Sequence, residues 1–127
     1  MGKQSVSSLY DDFAAWLDPI LRAAASSGAG AFVFNLYEGE GTYQIQLDGC
    51  SSLDLETDWV PQRVFSSGED LFEIRRTLVG DDWRSGLAGA RELIQRYCSA
   101  NSNACVLVGV PVACGFVDGD YELVPNA

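Results

Sequence analysis

Histidine is absent from the 127 residues. That gap removes Ser-His-Asp triads, Cys-His dyads, imidazole general bases and every zinc site that needs a histidine ligand. Basic residues are scarce too: eight Lys plus Arg face eighteen Asp plus Glu, a formal net charge of −10. Tracking a polyanion requires clustered cations, so nucleic acid and anionic membranes are disfavoured as partners and a basic protein is favoured. No run reaches the roughly 18 apolar residues of a membrane span, and no basic region precedes an apolar block near the N-terminus, so the expected location is cytoplasmic. Met1-Gly2 does not open an acylation signal, because Val6 stands where that signal needs Ser or Thr.

Other absences narrow the chemistry. Cys50, Cys98, Cys105 and Cys114 contain no Cys-x-x-Cys pair, and a domain of this size needs no disulfide staples, so reduced and mostly buried thiols are expected. A Cys98–Cys105 bridge stays open only for a secreted chain. Without histidine, a thiol has only arginines or a helix N-terminus to activate it. Gly28-Ala29-Gly30 enters a strand, whereas a phosphate-binding loop leaves a strand and opens a helix. Asp118-Gly119-Asp120 lacks the further oxygen ligands and distal glutamate of a calcium loop and reads as a hairpin turn. No cofactor and no metal are expected.

What is present builds one domain over residues 1–127: 47% of the residues are apolar, enough for a core at this length. From Val6 to Ala24 the apolar positions Leu9, Phe13, Trp16, Leu17, Ile20 and Leu21 recur with helical period, with Ser5 as cap and Pro19 expected to kink or divide the helix near Leu17 or Asp18. Residues 31 to 50 change to period two. A two-residue turn at Gly39-Glu40 would face Leu36 with Tyr43, Phe34 with Ile45 and Phe32 with Leu47, leaving Val33, Asn35, Tyr37, Thr42, Gln44 and Gln46 on a wettable face.

Short strands are expected around Trp59 to Phe65, interrupted at Pro61, and at Leu71 to Ile74. A second helix begins near Asp81-Asp82 and follows Trp83, Leu87, Ala90, Ile94 and Tyr97 to a stop at Asn101 to Asn103. A strand over Cys105 to Val112 and a closing hairpin through Asp118-Gly119 to Tyr121–Val124 complete the chain. This order lacks the alternation of a doubly wound parallel sheet. The expected class is α+β, an antiparallel sheet of four to six strands with two helices packed on one face.

Charge is unevenly spread. Residues 1–22 sum to −1, 23–62 to −6, 63–96 to zero and 97–127 to −3, and no Lys or Arg lies between Arg22 and Arg63. Glu38, Glu40, Asp48, Asp54, Glu56 and Asp58, with Asp118 and Asp120, therefore form a candidate acidic rim for a cationic partner; the competing account is that acidic loops merely keep a small domain soluble. Tyr37, on the wettable face, and Trp59, after the acidic loop, are the candidate aromatic anchors. Phe13, Trp16, Phe32, Phe34, Tyr43, Trp83, Tyr97, Phe116 and Tyr121 are assigned to the core. Carboxylates spaced along a sequence do not by themselves define an acid-base pair, so no catalytic residue is assigned and the chain is read as a non-enzyme.

Phe34-Asn35-Leu36-Tyr37-Glu38-Gly39, Asp58-Trp59, Val64-Phe65 and Gly115-Phe116-Val117-Asp118-Gly119-Asp120 give the chain, over most of its length, a resemblance to small acidic bacterial immunity proteins of polymorphic-toxin and contact-dependent growth inhibition systems. The resemblance implies an antidote that binds the C-terminal domain of a cognate toxin, a basic one such as a nuclease, and neutralises it without catalysis. A regulatory binding module or adaptor and a small carboxylate-dependent hydrolase are the alternatives. A hydrolase needs a concave pocket with convergent acids, and a binding module a flat or convex acidic patch.

Overall fold

The computed structural model describes residues 6–52, 63–100, 107, 109–117 and 119–124. Its elements are α1 (Val6–Ala24), β1 (Ala31–Glu38), β2 (Thr42–Cys50), β3 (Arg63–Ser66), β4 (Phe72–Arg75), α2 (Arg76–Val79), α3 (Trp83–Ala100), β5 (Val112–Phe116) and β6 (Tyr121–Leu123). The class is α+β, as the patterning indicates, with six strands in one sheet and helices laid on it.

The strands run in the order β3-β2-β1-β5-β6, and β4 shares the outer edge of β2 with β3. In effect β3 and β4 are one edge strand broken at Ser67–Leu71, where the Ser67 N–H donates to Leu47 O and the Ser67 hydroxyl accepts from Leu47 N–H. Every pairing is antiparallel except β1 with β5, which is parallel, a departure from the expected all-antiparallel sheet. The reason lies in α3: β4 and β1 end at the same edge of the sheet, α3 carries the chain back to the opposite edge, and β5 then rises beside β1 in the same direction. Both long helices supply side chains to the same buried cluster as Phe32, Phe34, Leu36, Tyr43, Ile45 and Leu47.

The first hairpin pairs Phe34 with Leu47, Leu36 with Ile45 and Glu38 with Tyr43, two residues away from the expected register. Its turn is Gly39–Thr42, closed by the Gly39 N–H to Thr42 O bond, and Gly41 at φ +72° takes the left-handed position instead of Gly39. A slip of two preserves the faces, whereas a slip of one would have inverted them, so the apolar set still points at the helices.

Pro19 does not divide α1, which stays helical through Ala24 with Phe13, Leu17 and Leu21 fully buried. Phe13 centres an aromatic group, edge-on to Phe72 at 5.4 Å and to Tyr97 at 6.2 Å. Such pairs contribute about 0.5–1.5 kcal/mol beyond area burial. The Tyr97 hydroxyl donates to Asp18, tying α3 to α1, and burial with that carboxylate pushes the phenol well above its ordinary pKa. Leu107, Gly109 and Val110 lie in turns, so the strand expected over Cys105 to Val112 begins only after Pro111. Ser5, Cys105, Asp118 and the Asn101 to Asn103 stop fall outside the described residues. Cys50, Cys98 and Cys114 are free thiols. No helix of the described residues is long and apolar enough to cross a membrane.

Candidate partner-binding surface

The strand directions bring three turns to one end of the sheet: the β1–β2 turn, the α2–α3 connection and the β5–β6 turn. Each is acidic. Glu38 and Glu40 come from the first, Asp81 and Asp82 from the second, Asp120 from the third, and Glu122 follows on β6.

Local chemistry fixes each turn. Gly80, at φ +123°, reverses the chain after α2 where a Cβ would strike the Ser85 side chain. Asp82 then caps α3, its Oδ1 accepting the Ser85 N–H at 2.8 Å, and that bond holds the carboxyl below the usual carboxylate range. The β5–β6 turn closes through Gly119 N–H to Phe116 O at 2.9 Å. Gly115 must be glycine, because a Cβ there would lie 2.5 Å from Asp120 O.

Arg76 clamps this end together. Its guanidinium stacks 4.5 Å from the Tyr43 ring centroid, donates to Gly39 O at 3.0 Å and Thr42 O at 3.3 Å, and pairs with Glu38 at 3.5 Å and Asp81 at 3.4 Å. On the opposite side of the clamp the Tyr43 hydroxyl lies 2.6 Å from Asp82 O and 3.0 Å from Gly80 O. Burial raises the Tyr43 phenol, an effect that Arg76 partly offsets.

Between the α3 N-terminus and the β5–β6 turn lies a recess of about 500 Å³. Leu87 and Phe116 give it apolar walls, Trp83 stands beside them 47% exposed, and Glu38, Asp120 and Glu122 bring three carboxylates to it. Glu38 is already engaged by Arg76, and Glu122 by Arg91 at 2.9 Å. Asp120 has no ion pair among the described residues. Arg84, one residue along α3, holds its guanidinium 4.7 Å from the Trp83 ring centroid.

The sequence-derived site residues separate on this frame. Glu38 and Glu40 belong to the acidic end, with Glu38 serving the Arg76 clamp. Tyr37 is carried to the other face by strand alternation, so it cannot anchor a patch built on Glu38. There its hydroxyl donates to Gln46 Oε1 at 3.1 Å, and it borders a shallower recess of about 290 Å³ with Gln44, Gln46 and Leu71. Asn35 completes that network, 8% exposed, donating to Gln46 and Asp48 and accepting from Tyr121. Asp54, Glu56, Asp58 and Trp59 lie outside the described residues; the chain enters that segment from Cys50, at the opposite end of β2 from the turn.

Trp83 is the residue that sequence reasoning missed. It continues the apolar stripe of α3, but at the first helical position its ring is only partly covered. The two aspartates directly before it mark the start of the helix, but no local pattern separates an exposed first-turn aromatic from a buried one. Tyr121, also assigned to the core, instead lies half-buried on the face away from the helices.

No family model matches the chain, and neither a curated protein nor a solved structure matches it. Among the described residues no group of three or more Cys, Asp or Glu is placed to hold a metal ion.

Proposed function

We propose that the protein is a non-catalytic inhibitor that binds a basic protein domain through the acidic end of its sheet, in the manner of an immunity protein neutralising a cognate toxin domain such as a nuclease. The supporting observation is the half-exposed Trp83 beside an apolar recess bordered by Glu38, Asp120 and Glu122. Aromatic side chains next to apolar pockets are the usual anchors of binding energy, while surrounding charge steers association and excludes wrong partners. Glu40, Asp81 and Asp120, exposed and on three separate turns, act as the steering charges. A basic domain that handles phosphate presents the complementary field.

The test is association kinetics with a purified basic candidate toxin domain. Replacing Glu40, Asp81 and Asp120 together by their amides should slow association at low ionic strength and much less at high, because screening shortens the Debye length to about 3 Å at 1 M salt. Trp83→Ala should mainly speed dissociation. Unchanged association of the triple variant at low salt would refute the steering surface.

A second reading, a carboxylate-dependent hydrolase, is favoured by one observation: the surface is a recess with three carboxylates rather than a flat patch. A general acid working at neutral pH draws its proton affinity from an apolar, desolvated site. Glu38, Asp120 and Glu122 are all exposed, and two of them already face arginines. Turnover of glycoside or ester substrates that is abolished by Asp120→Asn would establish that reading against the inhibitor.

A further inference from the structure

We propose that the recess beside Trp83 is a socket for a single arginine side chain of the protein partner, with the guanidinium stacked on the indole and paired to Asp120. The inference rests on the inhibitor reading for its partner, but its chemistry stands on the recess. Leu87, Phe116 and the indole give an apolar lining that suits an aliphatic stem, which a compact inorganic cation would not use. Charge pairing sets the stoichiometry: Arg76 and Arg91 already answer Glu38 and Glu122, leaving Asp120 as the one carboxylate of the recess without an ion pair among the described residues.

Arginine fits better than lysine because a planar, weakly hydrated guanidinium can stack and pair at once, whereas an ammonium is a strongly hydrated point charge. The indole already accepts a guanidinium, that of Arg84 at 4.7 Å. Arg84 is exposed and holds no carboxylate in an ion pair among the described residues, so it competes for the ring face without filling the socket.

The experiment is an NMR titration of the isotope-labelled protein with Nα-acetyl-arginine methylamide, its lysine counterpart and the uncharged citrulline counterpart. The arginine probe should give saturable shifts at the Trp83 indole N–H and the Gly119 and Asp120 amides, the lysine probe weaker ones, and citrulline none. Asp120→Asn and Trp83→Leu should each weaken the arginine probe by about threefold. Arg84→Gln should strengthen it, while Arg96→Gln, which removes a cation stacked on Tyr10 instead, should leave it unchanged. Equal shifts with citrulline, shifts scattered over Asp11 and Glu92, or undiminished binding to Asp120→Asn would overturn the socket. Probe binding as described without inhibition of any basic domain would retire the inhibitor reading and keep the socket. A partner complex weakened by Trp83→Leu but indifferent to Asp120→Asn would do the reverse.

Discussion

Replacing Gly86 with alanine tests how α3 is seated and therefore how Trp83 reaches the recess. A Cβ at Gly86 would lie 2.8 Å from Tyr43 Cζ and 2.9 Å from both Cε atoms. Carbon atoms in contact prefer about 3.5–4.0 Å, so ring and helix must part by most of an ångström. The ring cannot yield cheaply: it is 1% exposed, Arg76 lies over it, and its hydroxyl is bonded to the α2–α3 connection. Overpacking of this kind costs about 1–3 kcal/mol. Replacing glycine inside a helix returns about 1 kcal/mol of propensity. The net expectation is a loss of up to about 2 kcal/mol, or a Tm lower by up to about 8 °C at this chain length. Urea unfolding followed by far-UV circular dichroism should show the midpoint falling at constant m. In a Tyr43→Leu background the obstruction is gone, and the same Gly86→Ala change should become neutral or stabilising. A stabilisation by Gly86→Ala in the otherwise unaltered protein would refute the seating of α3 on Tyr43.

Arg76→Met keeps the stem but removes the guanidinium, taking the side-chain donor from Gly39 O and leaving Thr42 O with the Gly39 N–H alone, and should cost about 1–3 kcal/mol in the same assay. Asp82 is held below its ordinary carboxylate range by the α3 cap, so its contribution is full above about pH 3.8 and is lost as pH falls through the depressed value. Asp82→Asn should therefore match the wild-type protein near neutrality and flatten the acid limb of a stability-against-pH curve. Burial pushes the Cys114 thiol up to about 12 from 9.0; its contribution is complete below pH 9 and is lost as pH rises toward 12, where only the unfolded thiol has ionised freely. Iodoacetamide at pH 8 should spare Cys114 in the folded protein and modify it in urea, as peptide mass analysis would show.

Much of this architecture was legible in the sequence because alternation and helical period survive a small register error. The Phe34 and Ile45 face was correctly assigned to the core although the pairing itself moved by two residues, since either turn position offers a glycine and only φ at Gly41 decides between them. The parallel β1–β5 pair was not legible: pairing direction depends on where α3 delivers the chain, which no local pattern records. For the site, the acidic character of the β1–β2 turn and its grouping with Asp120 were read from the sequence, whereas its convergence with Asp81 and Asp82 was not, because those residues join it only through sheet topology. Tyr37 and Glu38 looked contiguous as neighbours in sequence, and a strand places neighbours on opposite faces.

The most direct test of the central claim is the hydrogen-exchange footprint of the basic partner domain on this protein. Binding at the acidic end predicts added protection in residues 38–43, 80–87 and 115–120, with residues 44–48, 63–68 and the body of α1 unchanged. Protection confined to residues 44–48 and 63–68, on the far face around Asn35 and Gln46, would contradict it.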